Sequence, residues 1–173
     1  MSIARKYDLI FFTATVLEWK QLLAADEYKD IIMDSLSFMV REKRIQLNAF
    51  VIMNHHVHFI WQALPPHTPN KVQLSFMKFT AQTMIFNLKD RNPELLKDHY
   101  VGAKDRKYQI WERNPLSVGI WTEAVLKQKL DYIHNNPVEA GFCSRPEEYQ
   151  YSSAGIYLGL PSQWQSLVTP CFW

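Results

Sequence analysis

His56 and His58 are the residues whose types and spacing point first to chemistry. Side chains at i and i+2 of an extended strand point the same way, about 6.5 Å apart, so two imidazoles there can lean in on one ion. The surrounding pattern fits a strand. His56, His58, Ile60 and Gln62 alternate with Val57, Phe59 and Trp61, as expected of a sheet packed on its far side. This alternation predicts that the paired histidines face a polar, accessible surface and that His55 points to the opposite face. The bland reading of a bare His-x-His is two surface or packing histidines, and a second chemical group has to decide between the readings. Tyr132 and Asn136 supply a candidate. They lie in a run whose Leu126, Leu130 and Ile133 make an apolar helical stripe, and their spacing puts phenol and amide on one helix face, about 6 Å apart.

The elements that must position these groups are legible in outline. Residues 8–17 are rich in β-branched and aromatic types and give a first strand. From Asp26 to about Lys43, Ile32, Leu36, Met39 and Val40 recur at helical spacing, with acidic residues early and basic ones late, as a helix dipole favours. Leu47–Met53 and His56–Gln62 form an antiparallel hairpin turning at Asn54-His55. A second helix is predicted over about Val72–Leu88, with Phe76, Phe79 and Phe86 in the core, then a polar connector over Leu95–Arg106 and a fourth strand over Tyr108–Glu112. The order β-α-β-β-α-β implies an α+β fold of ferredoxin-like type, an antiparallel sheet with helices on one face. A further, tyrosine-bearing helix starts at a Thr122 cap and should stop at Asn136, because Pro137 lacks the helical N–H. After Gly141 the chain turns often and reads as a wrapping tail. We expect one domain over residues 1–173, with a core of about 7–140 and a C-terminal segment of 141–173.

Composition narrows the functional classes. The 173 residues are 47% hydrophobic and 14% aromatic, enough for one sizeable core and short for two. Nineteen Lys+Arg against 17 Asp+Glu leave a net charge of +2, too mild to diagnose nucleic-acid binding. Between Lys71 and Arg113, however, nine basic residues outnumber five acidic ones, an excess of four. A solvated face explains that run as well as a phosphate-tracking surface does. Cys143 and Cys171 form neither a CxxC nor a disulfide framework, which suits reduced thiols in a cytoplasmic protein. The Arg5-Lys6 pair before Leu9–Leu17 resembles the start of a signal peptide, but Asp8, Glu18 and Lys20 interrupt it and no cleavage pattern follows. No apolar run is long enough to span a bilayer, so no membrane association is expected.

The run from Val51 to Trp61 around the histidines, followed by Lys129-Leu-Asp-Tyr-Ile-His-Asn-Asn-Pro-Val138, resembles the single-tyrosine HUH transposases. The likeness is nearest to the REP-associated tyrosine transposase group. Trp111–Pro115, Tyr149–Ala154 and Asp30–Leu36 also look like stretches of that group, so the resemblance covers nearly the whole chain. It implies that His56 and His58 are metal ligands, that Asn136 is the third ligand, and that Tyr132 attacks DNA. One departure is visible. The pair before the first ligand is commonly Pro-Asn in the family and is Asn54-His55 here.

A phosphodiester carries negative charge on its oxygens, so cleavage needs an in-line nucleophile and a cation against the phosphate. With free tyrosine near pKa 10, only about one phenol in a thousand is ionised at neutral pH, and positioning or a nearby cation must compensate. Two imidazoles and an amide leave open positions, consistent with Mg²⁺ or Mn²⁺, although nitrogen ligands also accept Zn²⁺. The resemblance implies a 5′-phosphotyrosine intermediate, a free 3′-OH and a single-stranded or hairpin DNA substrate such as a REP element. It also implies association with the nucleoid when DNA is bound, and either a monomer or a homodimer exchanging the tyrosine helix. For gripping DNA the candidates are Lys71, Lys78, Lys104, Arg106 and Lys107 on phosphates and exposed Tyr108 and Trp111 on bases, each equally suited to a plain surface or core role. His134 reads as a capping or surface residue. Two alternatives remain open: a non-cleaving binder of structured single-stranded nucleic acid, and a metal hydrolase using activated water.

Overall fold

The structure is a computed structural model describing residues 9–172; Arg5-Lys6, the Asp8 start of the expected first strand and Trp173 lie outside that range. β1 (Leu9–Thr15), α1 (Asp26–Arg41), β2 (Ile45–Ile52), β3 (His56–Ala63) and α2 (Pro69–Arg91) follow in order. Then come α3 (Pro93–Lys97), a small hairpin of β4 (Tyr100–Ala103) and β5 (Arg106–Tyr108), β6 (Leu116–Gly119), α4 (Glu123–Glu139) and α5 (Ala154–Tyr157). The main sheet is antiparallel with strand order β2-β3-β1-β6, the order a ferredoxin-like β-α-β-β-α-β unit demands.

The sheet's two faces are packed differently. On one, Phe12, Phe59, Trp61 and Phe76 interlock with buried residues of α1 and α2, with Phe59 and Phe76 edge to face at 5.3 Å. Aromatic pairs in that geometry contribute about 0.5–1.5 kcal/mol beyond their buried area. On the other, a smaller cluster of Leu9, Phe11, Ala49, Val51 and Ile60 is covered by Leu126 and Ile133 of α4. Helices therefore lie on both faces once the tyrosine-bearing helix is counted. The C-terminal segment bridges back to the β2 edge at Val51–Ser152 and Leu47–Val168, and Tyr151 donates to Asp30 of α1.

Four local expectations are corrected. The strand that completes the sheet is β6, not Tyr108–Glu112: β5 pairs only with β4, and the chain then turns at Asn114, in the left-handed region at φ 58°, before Pro115. The polar connector holds α3 and that hairpin. In α2 the buried stripe is Val72, Phe76, Thr80, Met84 and Leu88, so only Phe76 of the three phenylalanines is core, while Phe79 and Phe86 face outward. Finally, α4 does not stop at Asn136. Pro137 sits inside its last turn with its ring buried, and the Ala140 N–H reaches the Asn136 carbonyl at 3.0 Å, keeping that turn helical.

Candidate active site

Strand register explains the first half of the site. β3 places His58 opposite Thr13 and His56 opposite Thr15 of β1, so these four side chains share the α4 face of the sheet. Thr13 Oγ1 and His58 Nδ1 lie 2.7 Å apart. Of the two neutral tautomers, the one that donates from Nδ1 to the hydroxyl leaves Nε2 with a free lone pair. That Nε2 is buried and has no hydrogen-bond partner. His58 is only 4% exposed, stacked on Phe11 at 5.5 Å, because α4 covers this face. The accessible polar surface expected for the pair is thus covered at His58, while His56 stays part-exposed.

The second half comes from α4. Thr122 caps the helix by accepting from the Val125 N–H at 3.2 Å, and the buried Leu126 and Ile133 fix its rotation. That rotation turns Tyr132 and Asn136 toward the histidines. The Tyr132 ring meets the His58 ring edge-on at 5.1 Å and the Phe11 ring at 6.0 Å. His56 Nε2 lies 3.2 Å from Asn136 Oδ1. The rings of His56 and His58 are 4.7 Å apart. A cavity of about 310 Å³ opens between them, lined by Phe11, Thr13, Thr15, Trp19, Lys129 and Leu116 together with the four polar residues.

Burial holds both imidazoles neutral, His56 down to about 4 and His58 down to about 3, with neighbouring histidine charge and, for His58, Lys129 adding to the effect. Neutral rings keep the lone pairs a cation needs. The donor set fits one. Two donors at right angles on an octahedral ion with bonds of about 2.1 Å sit about 3 Å apart, close to the His56–Asn136 spacing. The unpartnered His58 Nε2 supplies a third point. Among the described residues no three His, Cys, Asp or Glu side chains are placed to hold a metal ion together, so a third protein ligand here would be the Asn136 amide.

His55 does not face away. It lies in the turn, where strand alternation has not begun, and its Nδ1 meets His56 Nδ1 at 2.8 Å. Trp19 packs edge-on to it at 5.2 Å, reached through Glu18 and Trp19 at φ 55° and 59°, a left-handed pair of the kind that concentrates at functional sites. His134 is directed elsewhere, 2.9 Å from Ser153 Oγ, with burial pushing its pKa down to about 4. The other tyrosines near the helix are structural donors: Tyr149 to the Ile52 carbonyl, Tyr151 to Asp30 and Tyr157 to the Asn48 carbonyl. Burial raises all three phenols, Tyr149 to about 12. Tyr132, by contrast, is 46% exposed beside the histidines.

None of the basic and aromatic candidates lines this cavity. Lys71 and Lys78 project from α2, and Lys104, Arg106 and Lys107 from the β4–β5 hairpin, all exposed. Tyr108 is half-buried between the ammonium groups of Lys107 at 5.5 Å and Lys89 at 6.0 Å. Trp111 is not the exposed stacking residue expected: it is 5% exposed, and its indole N–H donates to Thr80 at 3.0 Å, a partner no sequence spacing reveals. Thr13, Trp19 and Lys129 were missed. Lys129 alone had a visible signal, lying one helical turn before Tyr132.

No protein-family model and no curated protein matches the chain. Solved structures do. A REP-associated tyrosine transposase bound to a REP hairpin matches with a TM-score of 0.65 over 89% of this chain and 82% of that one, at 18% identity. A protein from Deinococcus radiodurans described as a candidate transposase matches with a TM-score of 0.52 over 73% of this chain and 88% of its own, at 21% identity. The chain therefore has the fold of these transposase structures. Among the described residues no helix is long and apolar enough to cross a membrane.

Proposed function

We propose that the protein is a single-tyrosine HUH transposase of the REP-associated group, which nicks and rejoins single-stranded or hairpin DNA. One observation carries this reading: Tyr132, half-exposed and with its ring 5.1 Å from that of His58, stands on the same helix as Asn136, whose amide oxygen meets His56. The shared fold with a transposase bound to a REP hairpin supports the substrate class.

In the proposed reaction Tyr132 Oη attacks phosphorus, the P–O3′ bond breaks, and the 5′ end stays joined to the phenol as a phosphodiester. The phenol proton is lost to solvent as the departing 3′ oxygen takes one up. Attack by another 3′-OH reverses the step and releases Tyr132, so strands are rejoined with no nucleotide cofactor. His56, His58 and Asn136 would hold a divalent ion, Mg²⁺ or Mn²⁺, which when bound supplies Lewis acidity to a non-bridging phosphate oxygen. Phe11 and the α4 cover exclude water from the His58 side, which strengthens electrostatic interactions there. Lys129, in the same cavity, presents a second cation to the phosphate. Exposed Lys71, Lys104 and Lys107 would add phosphate contacts outside the cavity.

The test is incubation with labelled hairpins from the DNA beside the gene, with Mn²⁺, followed by denaturing electrophoresis. A covalent protein–DNA band from the wild type, lost in Tyr132→Phe with binding retained, is the expected result. Turnover that survives Tyr132→Phe but not His56→Ala would replace the reading with water-based hydrolysis. No band from wild type on any hairpin would favour a non-cleaving binder.

A further inference from the structure

Each candidate ligand histidine has one ring nitrogen engaged by a group outside the ligand set. For His58 that group is the Thr13 hydroxyl, 2.7 Å from Nδ1. For His56 it is another imidazole, with His55 Nδ1 lying 2.8 Å from His56 Nδ1. Hydroxyl and imidazole share one property: each can donate or accept. At 2.8 Å two lone pairs would repel and two N–H groups would collide, so the contact between the rings holds a single proton, carried by one and accepted by the other.

The far side of His56 decides which ring carries it. His56 Nε2 lies 3.2 Å from Asn136 Oδ1. In one arrangement Nε2–H donates to that oxygen, His56 Nδ1 accepts, and the shared proton sits on His55. In the other, Nε2 keeps the lone pair that a cation needs, and the His56 proton moves to Nδ1. His55 must then accept at Nδ1 and carry its own proton on Nε2. The two rings exchange tautomers together, their contact is kept, and the pair neither gains nor loses a proton.

His55 is held in place for this exchange. It stands in the turn before β3, where its carbonyl accepts from the Val16 N–H at 2.8 Å and the Asn54 carbonyl accepts from the Leu23 N–H at 2.9 Å. The Trp19 indole packs edge-on to its ring at 5.2 Å, and the Trp19 N–H returns to the Val16 carbonyl at 2.9 Å. The segment after β1 therefore grips this turn at two backbone points and one ring. A group that orients a ligand needs such support, because its ordering is then complete before anything binds. His55 also belongs to the residue pair at which the sequence departs from the family pattern.

We propose that His55 is a positioning residue: it accepts from His56 Nδ1–H and so aims the Nε2 lone pair at a divalent ion, its tautomer changing in step with that of His56. The proposal rests on His56 being a ligand, as in the transposase reading, and its test needs no DNA cleavage. Mn²⁺ calorimetry on the parent, His55→Leu and His55→Asn is the first arm. Leucine removes the acceptor, and affinity should fall about 10–100-fold. Asparagine carries Oδ1 on the carbon that bears Nδ1 in histidine, so it should bring the affinity back. The second arm uses the parent alone and so does not depend on how a variant folds. With diamagnetic Zn²⁺ added, ¹H–¹⁵N spectra of the histidine rings should show the His56 proton on Nδ1 and the His55 proton on Nε2, the reverse of the pattern before addition.

An unchanged affinity in His55→Leu, or one as low in His55→Asn as in His55→Leu, would overturn this role and leave the transposase reading standing. So would a His55 tautomer that stays put while His56 binds, or a zinc-shifted nitrogen on His55 itself, which would make it a ligand. If the parent takes up no divalent ion, the ligand set and this role fall together, while the covalent adduct is still read separately by electrophoresis. Ion binding as expected with no adduct on any hairpin would sink the transposase reading and leave His55 its role.

Discussion

Val57, Phe59 and Trp61 leave β3 on one side of the sheet, and His56 and His58 leave it on the other. The first face is closed by two long helices and a stack of aromatic rings; the second is closed by one helix that brings polar groups with it. On the first face the side chains that leave the sheet are apolar, and the unpartnered polar atoms of that side, Asn87 Oδ1 and His99 Nε2, lie out on the helical layer and the segment after it. On the second, the unpartnered atom is His58 Nε2, on the sheet itself, and it stands at a cavity with a second imidazole, an amide and a half-exposed phenol, a grouping that packing alone does not call for. One strand can serve both ends because its period of two keeps the sets apart.

Substitutions on neighbouring residues of β3 break the two faces separately. Phe59→Ala should cost about 3–5 kcal/mol in urea unfolding, since a fully buried ring leaves a cavity, and should leave Mn²⁺ affinity per folded molecule intact. A loss under about 1 kcal/mol would mean that the aromatic face is looser than its packing implies. His58→Phe should do the reverse. It removes the unpaired nitrogen, whose burial costs about 1–3 kcal/mol, so melting without metal should hold steady or rise while the Mn²⁺-induced rise in melting temperature disappears. A Mn²⁺ shift that persists in this variant would remove His58 from the ligand set. Thr13→Val tests how far the hydroxyl fixes the imidazole: calorimetric Mn²⁺ affinity should fall about 10–100-fold, with little change in the fold. An unchanged affinity would make the 2.7 Å contact a packing detail. Smallest of all, Phe86→Ser on the outer side of α2, 76% exposed, should shift stability by no more than about 0.5 kcal/mol.

That last residue shows where sequence reading failed. In α2, the set Phe76, Phe79, Thr83 and Phe86 and the set Val72, Phe76, Thr80, Met84 and Leu88 are both helical stripes through Phe76. The larger phenylalanines pulled the choice toward the wrong one, and only the partner sheet decides the phase. β6 was missed because a four-residue edge strand that is mostly exposed has neither length nor alternation to declare itself. The first three strands and the face shared by Tyr132 and Asn136 were legible because each follows from a local period. The placement of Thr13 opposite His58 was not, because cross-strand register depends on residues far apart in the chain. The burial of His58 was hidden for a related reason. A strand pattern reports two faces, and nothing in it tells that a helix some seventy residues later will roof one of them.

That roof carries Tyr132 and Asn136 together, one turn apart on a single rigid rod. Lifting α4 by even one side-chain width would withdraw the phenol and release the amide at the same instant, whereas seating it delivers both. In the proposed reaction, alignment of the attacking group and completion of an ion's coordination would thus be geared to a single motion, and a half-assembled centre, able to hold the ion fully but unable to react, would have no arrangement of this helix to occupy.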